Sequence, residues 1–344
     1  MINSFFMSQE FIFGKGLQMS VPPKIFINSI NNNYLAKIQE GLSYIDMAKK
    51  VKPGDTVFIK PNLTFPHFRE GVMTSPECIE QLVVALKDYT SNIIIGESDG
   101  GGYNRFSMDE VYEKTGLRSM AMKHNVKLVN LSNLPSRNIC FHYKRRELSV
   151  PLPQLLLDEV KLFITVPVPK VHANTGVSMS IKNQWGVIQE PSQRLKLHPY
   201  FKKVILEINK ALNVGISVID GRYGLNRNGP MRGDPVELGW LMVADNILAA
   251  DIACCTLMGI DPFSVKYLDF YKQNEPIPEL KDIQFSQDHN KFIGLQFYLK
   301  KNFWDYPGYF AFRSRFLAYL AYHSPLSRLL HKGMYLFREK FYDY

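Results

Sequence analysis

Two lysines, a histidine and three hydroxyl residues crowd into the stretch Lys170 to Lys182 of this 344-residue chain. Lysine and asparagine hold phosphate or carboxylate oxygens through charge and hydrogen bonds. A histidine, whose ordinary titration lies near neutrality, can move a proton. Lys170, His172, Asn174, Thr175, Ser178, Lys182 and Asn183 together read as a site for something small and anionic, with His172, Lys170 and Lys182 as candidate catalytic groups. Singly, each is an ordinary residue of a solvated loop; the reading rests on the cluster.

Similar groups recur elsewhere. Lys60 and Asn62 flank Pro61, and Thr74-Ser75-Pro76 has the form of a helix start whose free N–H groups and hydroxyls could bind an anion or simply cap the helix. Glu97-Ser98-Asp99 precedes three glycines, Gly100 to Gly102, which let a backbone approach a ligand or make a flexible loop. Glu97 and Asp99, with His172, are candidate metal ligands. Asp220-Gly221 offers a carboxylate that could be a base, a metal ligand or a loop hydrogen-bond acceptor. Nothing here is a GxGxxG fingerprint or a Walker loop.

The elements that must position these groups follow from apolar runs. Leu162–Val168 reads as a strand buried on both faces, broken by Pro167 and Pro169. Residues 24–27, 56–60, 92–96, 127–131 and 214–220 read as further strands, the last ending at Asp220. Residues 34–50, 76–89, 108–124, 200–212 and 245–258 have helical apolar spacing. Residues 132–153 suggest a hairpin or surface excursion. Residues 190–199, with Arg194 and His198, suggest a loop. In the helix ending near Met258, Asp251 sits among apolar residues and needs a partner, either a site lysine or a backbone amide.

This alternation predicts an α/β fold, a mostly parallel β-sheet flanked by helices. In such sheets the polar groups past successive strand tips converge on one edge. The expected organisation is an arm over 1–20, an α/β domain over 21–275 and a C-terminal helical aromatic-basic appendage over 276–344.

Hydrophobic content of 46% and charged content of 21% are those of a folded globular protein. The net charge of +9 invites a nucleic-acid or membrane reading, but no nucleic-acid module is present, so no nucleic acid is expected. From residue 300 on, eight Lys or Arg face three acids among many aromatics, a composition that suits an anionic membrane surface through 297–344 or packing on the core or a second subunit. The four cysteines form no CxxC pair, so no internal cysteine-ligated iron–sulfur cluster is expected. Reduced thiols and the lack of a signal-peptide pattern suggest the cytoplasm, with a peripheral position at the inner membrane face as an extension of the tail reading.

Lys60-Pro61-Asn62, Thr74-Ser75-Pro76, Gly96-Glu97-Ser98, Pro169-Lys170-Val171-His172, Thr175-Gly176-Val177-Ser178, Lys182-Asn183, Asp220-Gly221, Gly229-Pro230 and Asp261-Pro262 occur in that order. Together they resemble domain of unknown function family 362 over about residues 50 to 265. Many members of that family carry an added ferredoxin-like segment, which this chain lacks. The central stretch is also distantly similar to nickel-pincer-nucleotide lactate racemases. That resemblance implies Lys182 as the lysine bearing the cofactor and His172 as a metal-site or acid–base histidine. The expectation is an enzyme acting on a small anionic substrate, or with a metal or nucleotide-like cofactor, through isomerase, epimerase or redox chemistry. The alternative is a non-catalytic accessory protein at a membrane surface, serving cell-envelope or polysaccharide assembly. A homo-oligomer fits either.

Overall fold

A computed structural model describes residues 21–337 except 32, 102–104, 302 and 304. The arm over 1–20 and the last residues of the tail lie outside the described residues. The strands are β1 (Lys24–Ser29), β2 (Val57–Pro61), β3 (Ile93–Glu97), β4 (Lys127–Asn130), β5 (Ser136–Tyr143), β6 (Arg146–Pro153), β7 (Leu162–Val166), β8 (Lys170–His172), β9 (Gly176–Ser178), β10 (Val214–Asn226), β11 (Asp234–Ala244) and β12 (Gln284–Phe285).

The main sheet runs β12-β1-β11-β10-β7-β2-β3-β4, with β8 attached to β10 and β9 to β8. From β10 through β7, β2 and β3 to β4 every pairing is parallel, while β11 is antiparallel to both β10 and β1. The β2, β3 and β7 side chains are buried throughout, as continuous apolar runs between two helical layers must be. One layer packs Ile38, Leu82 and Val111 against one sheet face; the other packs Ile205, Leu248 and Leu268 against the opposite face. Among the described residues no helix is long and apolar enough to cross a membrane.

The order of strands locates the site. From β2 the chain moves outward to β3 and β4, makes the β5–β6 hairpin, then returns to β7 on the other side of β2. Between β2 and β7 the direction of winding reverses, and the strand tips there open a crevice. Pro61 ends β2, and Pro167 and Pro169 turn the chain out of β7.

Two expectations are corrected and one open alternative is decided. β10 does not stop at Asp220 but runs on to Asn226, because β11 pairs with it as an antiparallel hairpin; Asp220 lies mid-strand, opposite Leu241. The stretch expected as a loop over 190–199 contains a helix, Pro191–Leu197, with Pro191 at its first turn, where a missing N–H costs nothing. Of the two partners weighed for Asp251, it takes the backbone amides, those of Ser180 and Ile181 at 2.7 and 3.1 Å, and not a site lysine.

Candidate functional site

Lys60, at the end of β2, and Glu97, at the end of β3, are neighbours because their strands are. Their side chains are almost fully buried and form an ion pair at 2.5 Å. Burial pulls the Lys60 ammonium downward and Glu97 pushes it back up. Glu97 also accepts from the Ser98 and Leu63 amides. A Cβ at Gly186 would come within 2.4 Å of the Glu97 carboxylate and 2.9 Å of the Lys60 ammonium, so a glycine is needed there. Lys60 thus neutralises Glu97 and is not among the residues that line the neighbouring cavity.

That cavity, about 330 Å³, opens at the β2, β3 and β7 tips. Asn62, Glu97, Ser98, Lys170, His172, Asn174, Ser178, Lys182 and Asn183 line it, so residues far apart in the chain meet as the parallel sheet requires. Lys170 is 1% exposed; it donates to the Val72 carbonyl at 2.6 Å and to Asn62 Oδ1 at 3.2 Å, and forms no ion pair. Burial, then the charge of Lys182, holds its ammonium well below the ordinary lysine range. Lys182 reaches Ser178 Oγ at 3.5 Å, also without an ion pair. The exposure it retains is to the cavity, and burial followed by the charges of Arg194 and Lys60 brings it down to about 7.

His172 accepts a hydrogen bond at Nδ1 from the Asn174 amide at 3.1 Å. The proton of its neutral ring therefore sits on Nε2. Burial, then the charges of Lys182, His198 and Lys170, keeps this imidazole neutral well below its usual range. Asn183 braces the strand tips, donating to the Lys60 carbonyl at 3.0 Å and Thr165 Oγ1 at 2.9 Å.

Not every expected residue reaches the cavity. Asp220 accepts from the Tyr34 hydroxyl at 2.6 Å and the Ser75 amide at 2.8 Å, and so ties β10 to the first turn of the helix Pro76–Leu86. Ser75 caps that helix through the Cys78 amide, and Thr74 Oγ1 bridges the Asn62 amide and the Val166 carbonyl. Asp99 is taken up by Arg105, the Met108 amide and Asn130. Thr175 faces a second cavity next door. Among the described residues no three His, Cys, Asp or Glu side chains gather as metal ligands, so Glu97, Asp99 and His172 are not brought together for a metal.

Several lining residues were not singled out from the sequence as site groups. Pro191, Arg194, Leu195 and His198 all line the cavity. Their spacing of three, four and seven is one face of a helix, a pattern concealed by reading the segment as a loop. Arg194 Nε donates to the Ile188 carbonyl at 2.9 Å, while its buried Nη2 has no partner among the described residues. Burial lowers this guanidinium to about 10, with Glu97 and Asp99 opposing the fall. His198 is driven down to about 3 by burial and the charge of Lys182. Ser98 Oγ and Asn228 Nδ2 are likewise buried on the cavity wall without partners. The tail supplies the remaining wall: Asp305, Tyr309, Phe312 and Tyr322 face the cavity, the Phe312 ring lies 4.8 Å from that of His198, and Asp305 pairs with Arg232 at 3.5 Å.

Residues 57–256 match the family described as Domain of unknown function (DUF362), and the chain belongs to it. A thylakoid-associated protein of Synechocystis is 24% identical over 253 residues, covering 71% of this chain and 75% of that protein. Among solved structures, the lactate racemase apoprotein from Thermoanaerobacterium thermosaccharolyticum aligns with a TM-score of 0.43 and 15% identity over 71% of this chain and 58% of its own. A Thermotoga maritima protein aligns with a TM-score of 0.38 and 15% identity over 59% and 53%. This chain thus spans little more than half the length of either structure.

Proposed function

We propose that this chain is an enzyme that binds a small anion in the cavity at the strand tips and rearranges it at a carbon bearing hydroxyl, by isomerisation, epimerisation or a redox step. One observation carries the reading. Arg194 Nη2, Ser98 Oγ and Asn228 Nδ2, in three residues that line the cavity, are buried with no hydrogen-bond partner among the described residues, beside two lysines that form no ion pair among them. An unsatisfied buried polar atom costs about 1–3 kcal/mol. Three of them in residues that line one space make sense if an anion's oxygens complete them once small side-chain shifts admit it.

The remaining groups have assignable roles. A neutral His172 with its proton on Nε2 is a hydrogen-bond donor toward a carbonyl or hydroxyl oxygen. Lys182, near half-protonated at neutral pH, offers an uncharged amine as base or as covalent anchor. The donor-rich wall does not suit a metal held by protein side chains alone. It suits a nucleotide-like cofactor anchored at Lys182, with its anionic groups on Arg194 and Ser98. Bound there, such a group would supply the electron-accepting capacity that these side chains lack.

The test is native and intact mass spectrometry of freshly purified protein. The expected result is a co-purifying anion or a covalent adduct lost in Lys182→Ala. Recovery of the bare chain mass, together with no measurable binding of sulfate, would remove the proposal.

A second reading concerns location. The outer side of the tail exposes Phe316 at 71%, Leu329 at 69% and Leu336 at 80%, near Arg315, Arg328 and Lys332. Exposed apolar side chains beside cations suit an anionic membrane, and we place the chain in the cytoplasm, peripheral at that membrane's inner face. Co-sedimentation with phosphatidylserine vesicles should be lost on deleting residues 324–344, a cut that spares the tail residues facing the cavity. Unchanged co-sedimentation would dismiss the tail as the anchor.

A further inference from the structure

Beside the anion cavity lies a second and larger one, about 600 Å³. The two share walls at Ala173, Asn174, His198, Tyr309 and Phe312. Their linings differ. The first is set with lysines, a guanidinium and amides. The second has a floor of Val177, Val265, Tyr267, Phe201 and Phe297, all buried, while Lys202, Asp261 and Lys266 line it on one side and Lys301 and Arg313, 3.7 and 3.8 Å from the Tyr309 ring, line it toward the tail. β8 and β9 run between the two, with Lys170 and His172 facing one cavity and Val171 and Val177 the other. That is the alternation of a strand with one polar and one apolar face.

We infer that the substrate is an amphiphilic anion: its charged head occupies the first cavity and its apolar arm passes beside His198 and Phe312 into the second. The inference rests on the anion reading above and extends it from a small anion to one carrying an aliphatic or prenyl-like arm. A ligand confined to the head site would leave the larger cavity without a role. A cavity with an apolar floor adjoining a donor-lined one through shared side chains fits a ligand with the same division. It also accounts for the C-terminal segment, whose Tyr309 and Phe312 contribute to both walls. Phe312 stacks on Tyr322 with ring centroids 5.7 Å apart, which fixes the partition.

The probes are inorganic phosphate and the butyl, hexyl and octyl monophosphates, titrated calorimetrically below their aggregation concentrations into the full chain. The expected result is tightening along the series by up to about fourfold per methylene buried. Ile260→Trp, which inserts bulk from a wall of the second cavity only, should flatten the series while leaving inorganic phosphate binding unchanged. Ser264→Trp, at the exposed rim of that cavity, should flatten it more weakly and guards against misfolding of the first variant. If affinity does not change with chain length while inorganic phosphate still binds, the second cavity is not the arm site and the anion site stands. If affinity rises with chain length equally in both variants, the arm binds elsewhere and the inference is overturned. If neither inorganic phosphate nor any ester binds, the anion reading falls and takes this inference with it.

Discussion

Two groups of buried polar atoms lie close together in this chain and are handled in opposite ways. Around Asp251 every contact is closed: the carboxylate takes two backbone amides and the Tyr267 hydroxyl at 3.4 Å. Beside it Gln184 bridges Thr165 and Asn209 at 2.8 Å each, and Asn209 reaches the Ile181 and Ile205 carbonyls. Around Lys182, donors of Arg194, Ser98 and Asn228, three residues that line the cavity, are left without a partner among the described residues. The first network ties the helix Ile247–Leu257 to the turn after β9. The second does nothing for the empty fold that closing it would not do better, which is why the open group, and not the closed one, reads as functional.

If that division is sound, disturbing a closed contact should cost stability and disturbing an open one should cost binding. The largest stability loss is expected for Lys60→Met, which leaves the Glu97 carboxylate buried and unpaired. Breaking a buried pair from one side costs about 3–5 kcal/mol, to be read from urea denaturation. A loss below 1 kcal/mol would mean that Glu97 is relieved by protonation or by solvent from the cavity.

Next comes Asp251→Asn. Its amide nitrogen would oppose a backbone donor, at a cost of about 1–3 kcal/mol. The variant also has a pH signature. Burial raises Asp251 to about 7 against 3.8 for an ordinary aspartate carboxyl. Between those values the folded state holds a proton that the unfolded chain has released. Stability therefore falls as pH rises through this window, by at most about 1.4 kcal/mol per unit. Denaturation midpoints at pH 4.5 to 7.5 should slope downward in the wild type and less steeply in the variant.

The open group should show its own pH dependence, in ligand affinity. Lys182 loses its charge above about 7, and an anion binds best when that charge is present. Sulfate, which does not titrate here, should bind progressively more weakly above pH 7, by up to about tenfold per unit. Affinity flat from pH 6 to 9 would show that Lys182 does not meet the anion. The smallest effect is expected on the tail's outer side. Leu329→Ser and Leu336→Ser should each change stability by less than about 0.5 kcal/mol, checked by thermal melting, because neither side chain is buried.

These two groups were not equally legible in the sequence. The parallel strands and their tips were readable because continuous apolar runs ending in proline or glycine leave few alternatives. Hence the sequence places Asn62, Glu97, Ser98, Lys170, His172 and Lys182 beside one another, as residues lining one cavity. Asp220 was misplaced because the apolar run ends there while the strand continues through Arg222 and Tyr223, held by β11, a partner that local sequence does not announce. Arg194 and His198 escaped assignment because Pro191 and the polar residues around it resemble a loop. Only the spacing of 191, 194, 195 and 198 marks the helix face that delivers them. The tail's aromatics advertise an interaction, but that Tyr309 and Phe312 turn inward onto the cavity follows from the long-range packing of Phe312 on His198, which no local pattern encodes.

The claim on which the rest depends is that the open donors exist to hold an anion, and Arg194 isolates it best. Calorimetric titration of sulfate at pH 6.5 into the wild type and Arg194→Ala should show binding in the first and a loss of roughly 10- to 100-fold in the second, with the melting temperature unchanged or raised. Equal sulfate affinity in the two proteins, or a variant that loses stability without losing affinity, would contradict it.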